Sequence, residues 1–77
     1  MVKSPKMYGS YYIVIPDNFI GFTIVKAKVI GVCENPSAVG NFLYLLQTPF
    51  GDYRRIALNM WESPEALALE IRKFVYE

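Results

Sequence analysis

The chain has 77 residues, of which 53% are hydrophobic, 16% are aromatic and 19% are charged. A chain of this length buries only about 60% of the surface that its unfolded form exposes, so we expect one domain over residues 1–77 with a single core. The apolar content excludes a disordered chain, and a formal net charge of +1 at pH 7 argues against binding of duplex DNA through phosphate neutralisation. The apolar residues exceed what so small a core accommodates, which indicates contact with another protein.

The N-terminal segment has no regular pattern, because Ser4, Pro5, Gly9 and Ser10 interrupt it, and we expect residues 1–10 to be loosely ordered. The apolar run YYIVIP that follows is too short to span a membrane and lacks the cleavage site of a secretory signal. A single cysteine cannot form a disulfide within the chain. These absences predict, by default, a cytoplasmic protein that does not associate with membranes.

Two strands are predicted in the first half of the chain. The β-branched and aromatic run Tyr11–Ile15 stops at a Pro-Asp-Asn turn, and the stretch Gly21–Glu34 has the period of two that is typical of a strand. The second strand is longer than usual, which predicts a bend or bulge at Gly31. Its alternation places Val25, Ala27, Val29 and Cys33 on one side, with Cys33 as a small core residue, and Lys26 and Lys28 on the side that faces water.

A C-terminal hairpin is predicted from two further strands, residues 42–48 and 52–61, which follow a loop at residues 34–41. Pro49, Phe50 and Gly51 connect them, a sequence that favours a type I turn closed by a glycine bulge. This three-residue loop pairs Leu46 with Arg54 and thereby defines two faces. The core face then carries Phe42, Tyr44, Leu46, Ile56, Leu58 and Met60, and the reverse face carries Leu43, Leu45, Gln47, Tyr53, Arg55, Ala57 and Asn59.

The last fifteen residues, SPEALALEIRKFVYE, predict an amphipathic helix with Ser63 as N-cap and Pro64 at the first helical position. Its expected buried stripe consists of Leu67, Ile71, Phe74 and Val75, while Leu69 and Tyr76 point away from it. The complete pattern predicts a small α+β fold. It has an antiparallel sheet of about four strands, with one long bent strand and a C-terminal hairpin, and a single C-terminal amphipathic helix packed on one face.

The inventory of reactive side chains is poor. The chain has no histidine and one cysteine, which removes the commonest general base, the commonest metal ligand and a thiolate metal site. Glu62, Glu65 and Glu70 cluster near the helix start, where surface carboxylates are favoured by the helix dipole. We therefore expect no catalytic residues, no metal, no cofactor and no enzymatic activity.

Two families share parts of this pattern. The strings VKAKVIGV, LYLLQ, RRIAL and EALAL resemble the opening half of the bifunctional nuclease family, but Leu58, Asn59 and Met60 stand where that family has a tryptophan-isoleucine-glycine step. Strands followed by one amphipathic C-terminal helix are also similar to the last part of pleckstrin-like domains, which contain more strands. Neither resemblance transfers a site residue to this chain.

The first functional hypothesis is a small non-catalytic module for protein interaction or self-association, either as a homo-oligomer, most simply a dimer, or with another protein. The half-apolar reverse face and the exposed hairpin tip are the basis of this hypothesis. Its candidate surface comprises Leu43, Leu45, Phe50, Tyr53, Arg54, Arg55, Leu69 and Tyr76.

The alternative hypothesis is weak binding of single-stranded nucleic acid by the basic and aromatic side of the hairpin. Interleaved aromatic and basic residues on a sheet suit base stacking combined with contacts to phosphates. The arginines have a structural explanation as well, because their stems cover apolar neighbours at strand ends. The candidate nucleic-acid face comprises Lys26, Lys28, Tyr53, Arg54 and Arg55.

Overall fold

The computed structural model describes residues 2, 4–19, 21–35 and 41–76, with side chains as far as residue 71. Four strands form one open antiparallel sheet in the order β1-β2-β3-β4, and a helix follows, so the predicted α+β class is confirmed. The elements are β1 Ser10–Asp17, β2 Gly21–Glu34, β3 Phe42–Thr48, β4 Gly51–Arg55, a 3-10 turn at Ala57–Asn59, and α1 Pro64–Tyr76.

The first hairpin joins β1 to β2 through a short turn after Asp17. The Asp17 carboxylate accepts a hydrogen bond of 2.8 Å from the Phe19 N–H, and Gly21 closes the turn at φ +88°. Strand β1 continues past its predicted end at residue 15 and includes Pro16. A proline is tolerated there because β1 lies at the edge of the sheet, where one backbone N–H in two has no neighbouring strand to bond.

The long strand β2 has the predicted bounds, and its register against β3 shifts between Val29 and Gly31. The bulge expected at this point is therefore confirmed. The expectation that Cys33 is a core residue is wrong, because Cys33 is exposed. One extra residue in a strand reverses the alternation of side chains beyond it, so Val29 faces the core while Gly31 and Cys33 face the other side.

The predicted register of the second hairpin is wrong by one residue. Thr48 pairs with Gly51, so the loop has two residues instead of three, and Leu46 lies opposite Tyr53. The Thr48 hydroxyl accepts a hydrogen bond of 3.1 Å from the Phe50 N–H and donates one of 2.8 Å to the Gly51 carbonyl. A one-residue slip moves every side chain of a strand to the opposite face, so the structure places Tyr53 and Arg55 on the core side.

The last strand ends at Arg55 and not at residue 61, and the chain turns through Ala57–Asn59. This turn brings Trp61 to the free edge of β1, where Tyr12 and Trp61 exchange backbone hydrogen bonds of 2.7 and 2.9 Å. The predicted core positions Phe42 and Leu58 are consequently wrong, since both are exposed, whereas Met60 is fully buried as expected.

The main core lies on one face of the curled sheet and includes a residue from the N-terminal segment. Val2 is buried and its N–H donates to the Ala57 carbonyl at 3.3 Å. The core cluster consists of Val2, Tyr11, Ile13, Ile15, Val25, Ala27, Val29, Leu46 and Met60, with Tyr44 and Tyr53 packed against it.

The helix α1 lies against β1 and begins as predicted, because the Ser63 hydroxyl accepts a hydrogen bond of 3.1 Å from the Ala66 N–H. Leu67 is buried, Ile71 is half-buried and Leu69 is exposed, in agreement with the predicted stripe. The expectations for the side chains of Phe74, Val75 and Tyr76 lie outside the described part of the chain. Within that part, no helix is long and apolar enough to cross a membrane.

Candidate interaction surface

The sheet has a face that is turned away from the main core, which we call the reverse face. Cross-strand partners point to the same side of a sheet, so the pairs Gly31–Leu45, Leu45–Arg54 and Lys28–Gln47 define one surface. Its members on β2, β3 and β4 are Phe22, Ile24, Lys26, Lys28, Gly31, Cys33, Leu43, Leu45, Gln47, Asp52 and Arg54. The reverse face is therefore apolar next to the bulge of β2, at Gly31, Cys33, Leu43 and Leu45. Charged residues, among them Lys28, Asp52 and Arg54, lie beside this apolar part.

A groove lies where the bulge meets β3 and β4. It has a volume of about 260 Å³, and it is lined by Gly31, Val32, Cys33, Leu45 and Arg54. The groove exists because Gly31 has no side chain, while Leu45 and Arg54 on the two adjacent strands form its wall. Three of these residues, Gly31, Val32 and Cys33, were not part of the candidate surface predicted from the sequence. The signal for them in the sequence is the expected bulge, because one extra residue in a strand turns the residues beyond it to the opposite face.

The predicted interaction residues do not form one continuous patch. Leu43, Leu45 and Arg54 lie together on the reverse face, whereas Tyr53 packs against the core from the opposite side. Phe50 is at the tip of the β3–β4 hairpin and is 69% exposed. Leu69 is exposed on the helix, and the side chain of Tyr76 is not among those described.

Arg55 takes part in the architecture of the sheet. Its Nη2 donates a hydrogen bond of 3.2 Å to the carbonyl of Val14 on β1, and its Nη1 donates one of 2.8 Å to the Arg54 carbonyl. The guanidinium carbon also lies 5.4 Å from the centroid of the Tyr53 ring. This side chain connects the two edge strands of the sheet, β4 and β1, a structural role different from the covering of apolar neighbours that the sequence suggested.

The candidate nucleic-acid face is divided in the same way. Lys26, Lys28 and Arg54 are exposed on the reverse face, but Tyr53 and Arg55 are on the core side and cannot act together with them. The Lys28 Nζ lies 5.7 Å from the centroid of the exposed Tyr8 ring, which supplies one aromatic group beside a cation. The fold thus places three cationic side chains, Lys26, Lys28 and Arg54, on one face, with the Tyr8 ring beside Lys28.

Groups that could bind a metal are absent from the described residues, among which no cluster of three or more histidine, cysteine, aspartate or glutamate side chains occurs. The pair of acidic residues at the helix start, Glu62 and Glu65, is exposed. These two positions are solvated as the sequence indicated, whereas Glu70, the third glutamate of the cluster, is half-buried.

Comparison of the chain with family models, with curated proteins and with solved structures found no match.

Proposed function

We propose that this chain is a small non-catalytic interaction module that associates with a second copy of itself, most simply as a dimer. The observation that carries the proposal is the apolar part of the reverse face, where the half-buried Leu43 and Leu45 adjoin the exposed Cys33. Association would remove this surface from water, which stabilises a complex by roughly 25 cal/mol for each Å² of apolar area buried. Both leucines remain partly accessible in the isolated chain.

The surrounding charges suit a polar rim around an apolar centre. Lys28, Asp52 and Arg54 are exposed on the same face as Leu43 and Leu45. Protein interfaces commonly have this arrangement, in which the fully desolvated centre is apolar and the rim carries charged residues of both signs.

The test is the mass of the protein in solution, measured by light scattering at micromolar concentrations. We expect the wild-type chain to have the mass of a dimer, and Leu43→Asp to shift it toward the monomer, because a carboxylate at the apolar centre would be buried without a partner. Leu58→Asp is the matched control, since Leu58 is 58% exposed but does not lie on the reverse face. This control should keep the wild-type mass.

Melting temperatures of both variants establish that they are folded. A wild-type chain that stays monomeric at the highest concentrations measured would contradict the proposal. Equal masses for folded Leu43→Asp and wild type would show that the chain associates through a different surface.

A second candidate function is binding of single-stranded nucleic acid. It is favoured by the common orientation of Lys26, Lys28 and Arg54 on the reverse face, with the Tyr8 ring beside Lys28. Three cations contribute a modest electrostatic attraction to a phosphate backbone. This candidate ranks second because Tyr53 and Arg55, on which the hypothesis first depended, are turned to the other side.

A further inference from the structure

The end of the β1–β2 hairpin projects beyond the rest of the sheet. Strand β2 pairs with β3 from Lys28 onward, whereas residues 21–27 have β1 as their only strand neighbour in the described part of the chain. Ile15 and Val25 are the core side chains closest to the turn of this hairpin. Residues 16–24 therefore form a two-stranded end that extends past the core by about 13 Å, at roughly 3.3 Å per residue of strand.

This hairpin end carries exposed phenylalanines. Phe19, in the turn, is 97% exposed, and Phe22, which follows it on β2, is 45% exposed. Turns are usually formed by small or polar residues, yet residues 18–24 read NFIGFTI and include no charged residue. An exposure of 97% means that the Phe19 ring adds almost nothing to the core, so folding of the described chain does not account for an aromatic residue at this position.

Two lysines lie behind the phenylalanines on the same face of β2. Phe22, Lys26 and Lys28 alternate with the buried residues Val25 and Ala27, so their side chains project from the reverse face. Both lysines are exposed. About 13 Å of strand separates Phe22 from Lys26. The hairpin therefore has an apolar end followed by a cationic band.

The acidic side chains are placed away from this face of the hairpin. Asp17 pairs with Gly21 on the opposite face, and its carboxylate accepts the hydrogen bond of 2.8 Å from the Phe19 N–H. Asp52 is on the reverse face but belongs to β4, two strands away from Lys28. On the reverse face of β1 and β2 before the bulge, the charged residues are thus lysines.

We propose that the end of the β1–β2 hairpin docks on an anionic membrane surface. Phe19 and Phe22 would enter the boundary between headgroups and acyl chains, which apolar side chains of surface-bound proteins penetrate by roughly 5–10 Å. Lys26 and Lys28, set back along the same strand, would then lie at the level of the lipid phosphates, which their long side chains can reach.

The shape and area of the hairpin end favour lipid over a protein partner. Two phenylalanine rings supply about 300–500 Å² of apolar surface at most, less than the roughly 800 Å² that each partner buries in a stable protein interface. Lipid surrounds a projecting end on every side, whereas a protein surface covers one side of it. The cationic band adds attraction to anionic lipid, a contribution that falls with salt.

This inference goes beyond the proposed self-association and uses a different part of the reverse face. The hairpin end precedes the bulge of β2, whereas Leu43 and Leu45 pair with residues beyond it. The sequence-based expectation of no membrane association rested on the lack of a spanning run and of a secretory signal. Docking at the membrane surface requires neither of them.

Flotation with lipid vesicles at low salt tests the proposal. One set of vesicles consists of phosphatidylcholine alone, and the other of phosphatidylcholine and phosphatidylserine in equal parts. We expect the wild-type chain to bind the phosphatidylserine vesicles and to bind phosphatidylcholine several-fold more weakly. Phe19→Asp should weaken binding to the phosphatidylserine vesicles by about tenfold or more, because a charge replaces the inserted ring. Lys26→Gln should weaken it by about fivefold, the effect of one lysine near an anionic surface.

Two matched variants serve as controls. Leu58→Asp introduces the same charge at a residue that is 58% exposed but lies in the 3-10 turn after β4. Lys6→Gln removes a charge at an exposed position that precedes β1, away from the turn of the hairpin. Both variants should bind vesicles as the wild-type chain does. Melting temperatures establish that all four variants are folded.

Each other result overturns the proposal. A wild-type chain that does not float with phosphatidylserine vesicles, or that binds both kinds of vesicle equally, contradicts docking on an anionic surface. Folded Phe19→Asp that binds like the wild-type chain shows that the hairpin end is not the contact. A dimeric mass that is lost in Phe19→Asp, with no vesicle binding by the wild-type chain, assigns this end to a second copy instead. Failure of vesicle binding alone leaves the proposed self-association through Leu43 and Leu45 intact.

Discussion

Thr48 has a larger influence on the hairpin than its position in the sequence suggests. It is 8% exposed, and its hydroxyl bonds both the Phe50 N–H and the Gly51 carbonyl across the turn. A threonine hydroxyl that bonds the backbone two residues later stabilises a tight turn. The side chain thereby supports a two-residue loop, although Pro49, Phe50 and Gly51 favour a three-residue one in sequence.

Gly51 completes this turn at φ +129°, a backbone conformation that residues other than glycine rarely adopt. We therefore expect Gly51→Val to lower the free energy of unfolding by about 1 kcal/mol or more, as measured by urea denaturation. The matched control is Gly31→Ala, because Gly31 has no positive φ and a Cβ there makes an ordinary contact. Equal losses of stability in the two variants would contradict the assignment of backbone strain to Gly51.

At the scale of the elements, the sheet is curled so that its two edge strands approach each other. Trp61 pairs with Tyr12 on the free edge of β1, and Arg55 reaches from β4 to the carbonyl of Val14. Both contacts use backbone groups of β1 that the sheet itself leaves without partners. The short length of β4 follows from this closure, since the chain has to leave the strand after Arg55 to return to β1.

Arg55 and Arg54 are adjacent in sequence and have different roles, which mutation can separate. We expect Arg55→Ala to lower the free energy of unfolding by about 1 kcal/mol, because it removes a charge-assisted hydrogen bond that joins β4 to β1. Arg54→Ala and Phe50→Ala should change it by less than about 0.5 kcal/mol, since both side chains are exposed. Denaturant unfolding of the three variants provides the comparison, and a neutral Arg55→Ala would show that the contact to Val14 contributes nothing to stability.

At the scale of the whole molecule, the net charge sets how strongly the chain can attract nucleic acid. The net charge of +1 and three cations on the reverse face provide little electrostatic attraction for nucleic acid. We expect labelled single-stranded DNA to bind weakly at low salt, with a salt slope of about 2 from three phosphate contacts, as measured by fluorescence anisotropy.

The matched pair for this measurement is Arg54→Gln and Lys6→Gln. Both residues are exposed, but only Arg54 is on the reverse face, so only its replacement should weaken binding. Failure of the wild-type chain to bind at about 100 μM protein, the weak end of non-specific binding, would exclude the nucleic-acid candidate. The proposed self-association does not depend on this result.

The sequence by itself determined the features that have local causes. The period of two identified β2 with its bounds, and the unusual length of that strand together with Gly31 indicated the bulge. Ser63 and Pro64 located the start of the helix, because capping depends on residues within one turn of each other. Alternation and capping signals lie within a few neighbouring residues, and these were sufficient for the α+β class.

Only the tertiary structure decided how the faces are assigned. The side on which Cys33 lies depends on the register between β2 and β3 beyond the bulge, and the side on which Tyr53 lies depends on a single residue in the loop of the hairpin. The end of β4 depends on Trp61 pairing with a strand about fifty positions earlier in the chain. Long-range hydrogen bonds select one register among several that fit the same alternation, and a change of one residue exchanges the two faces of a strand. The apolar groove is therefore a property of the folded chain.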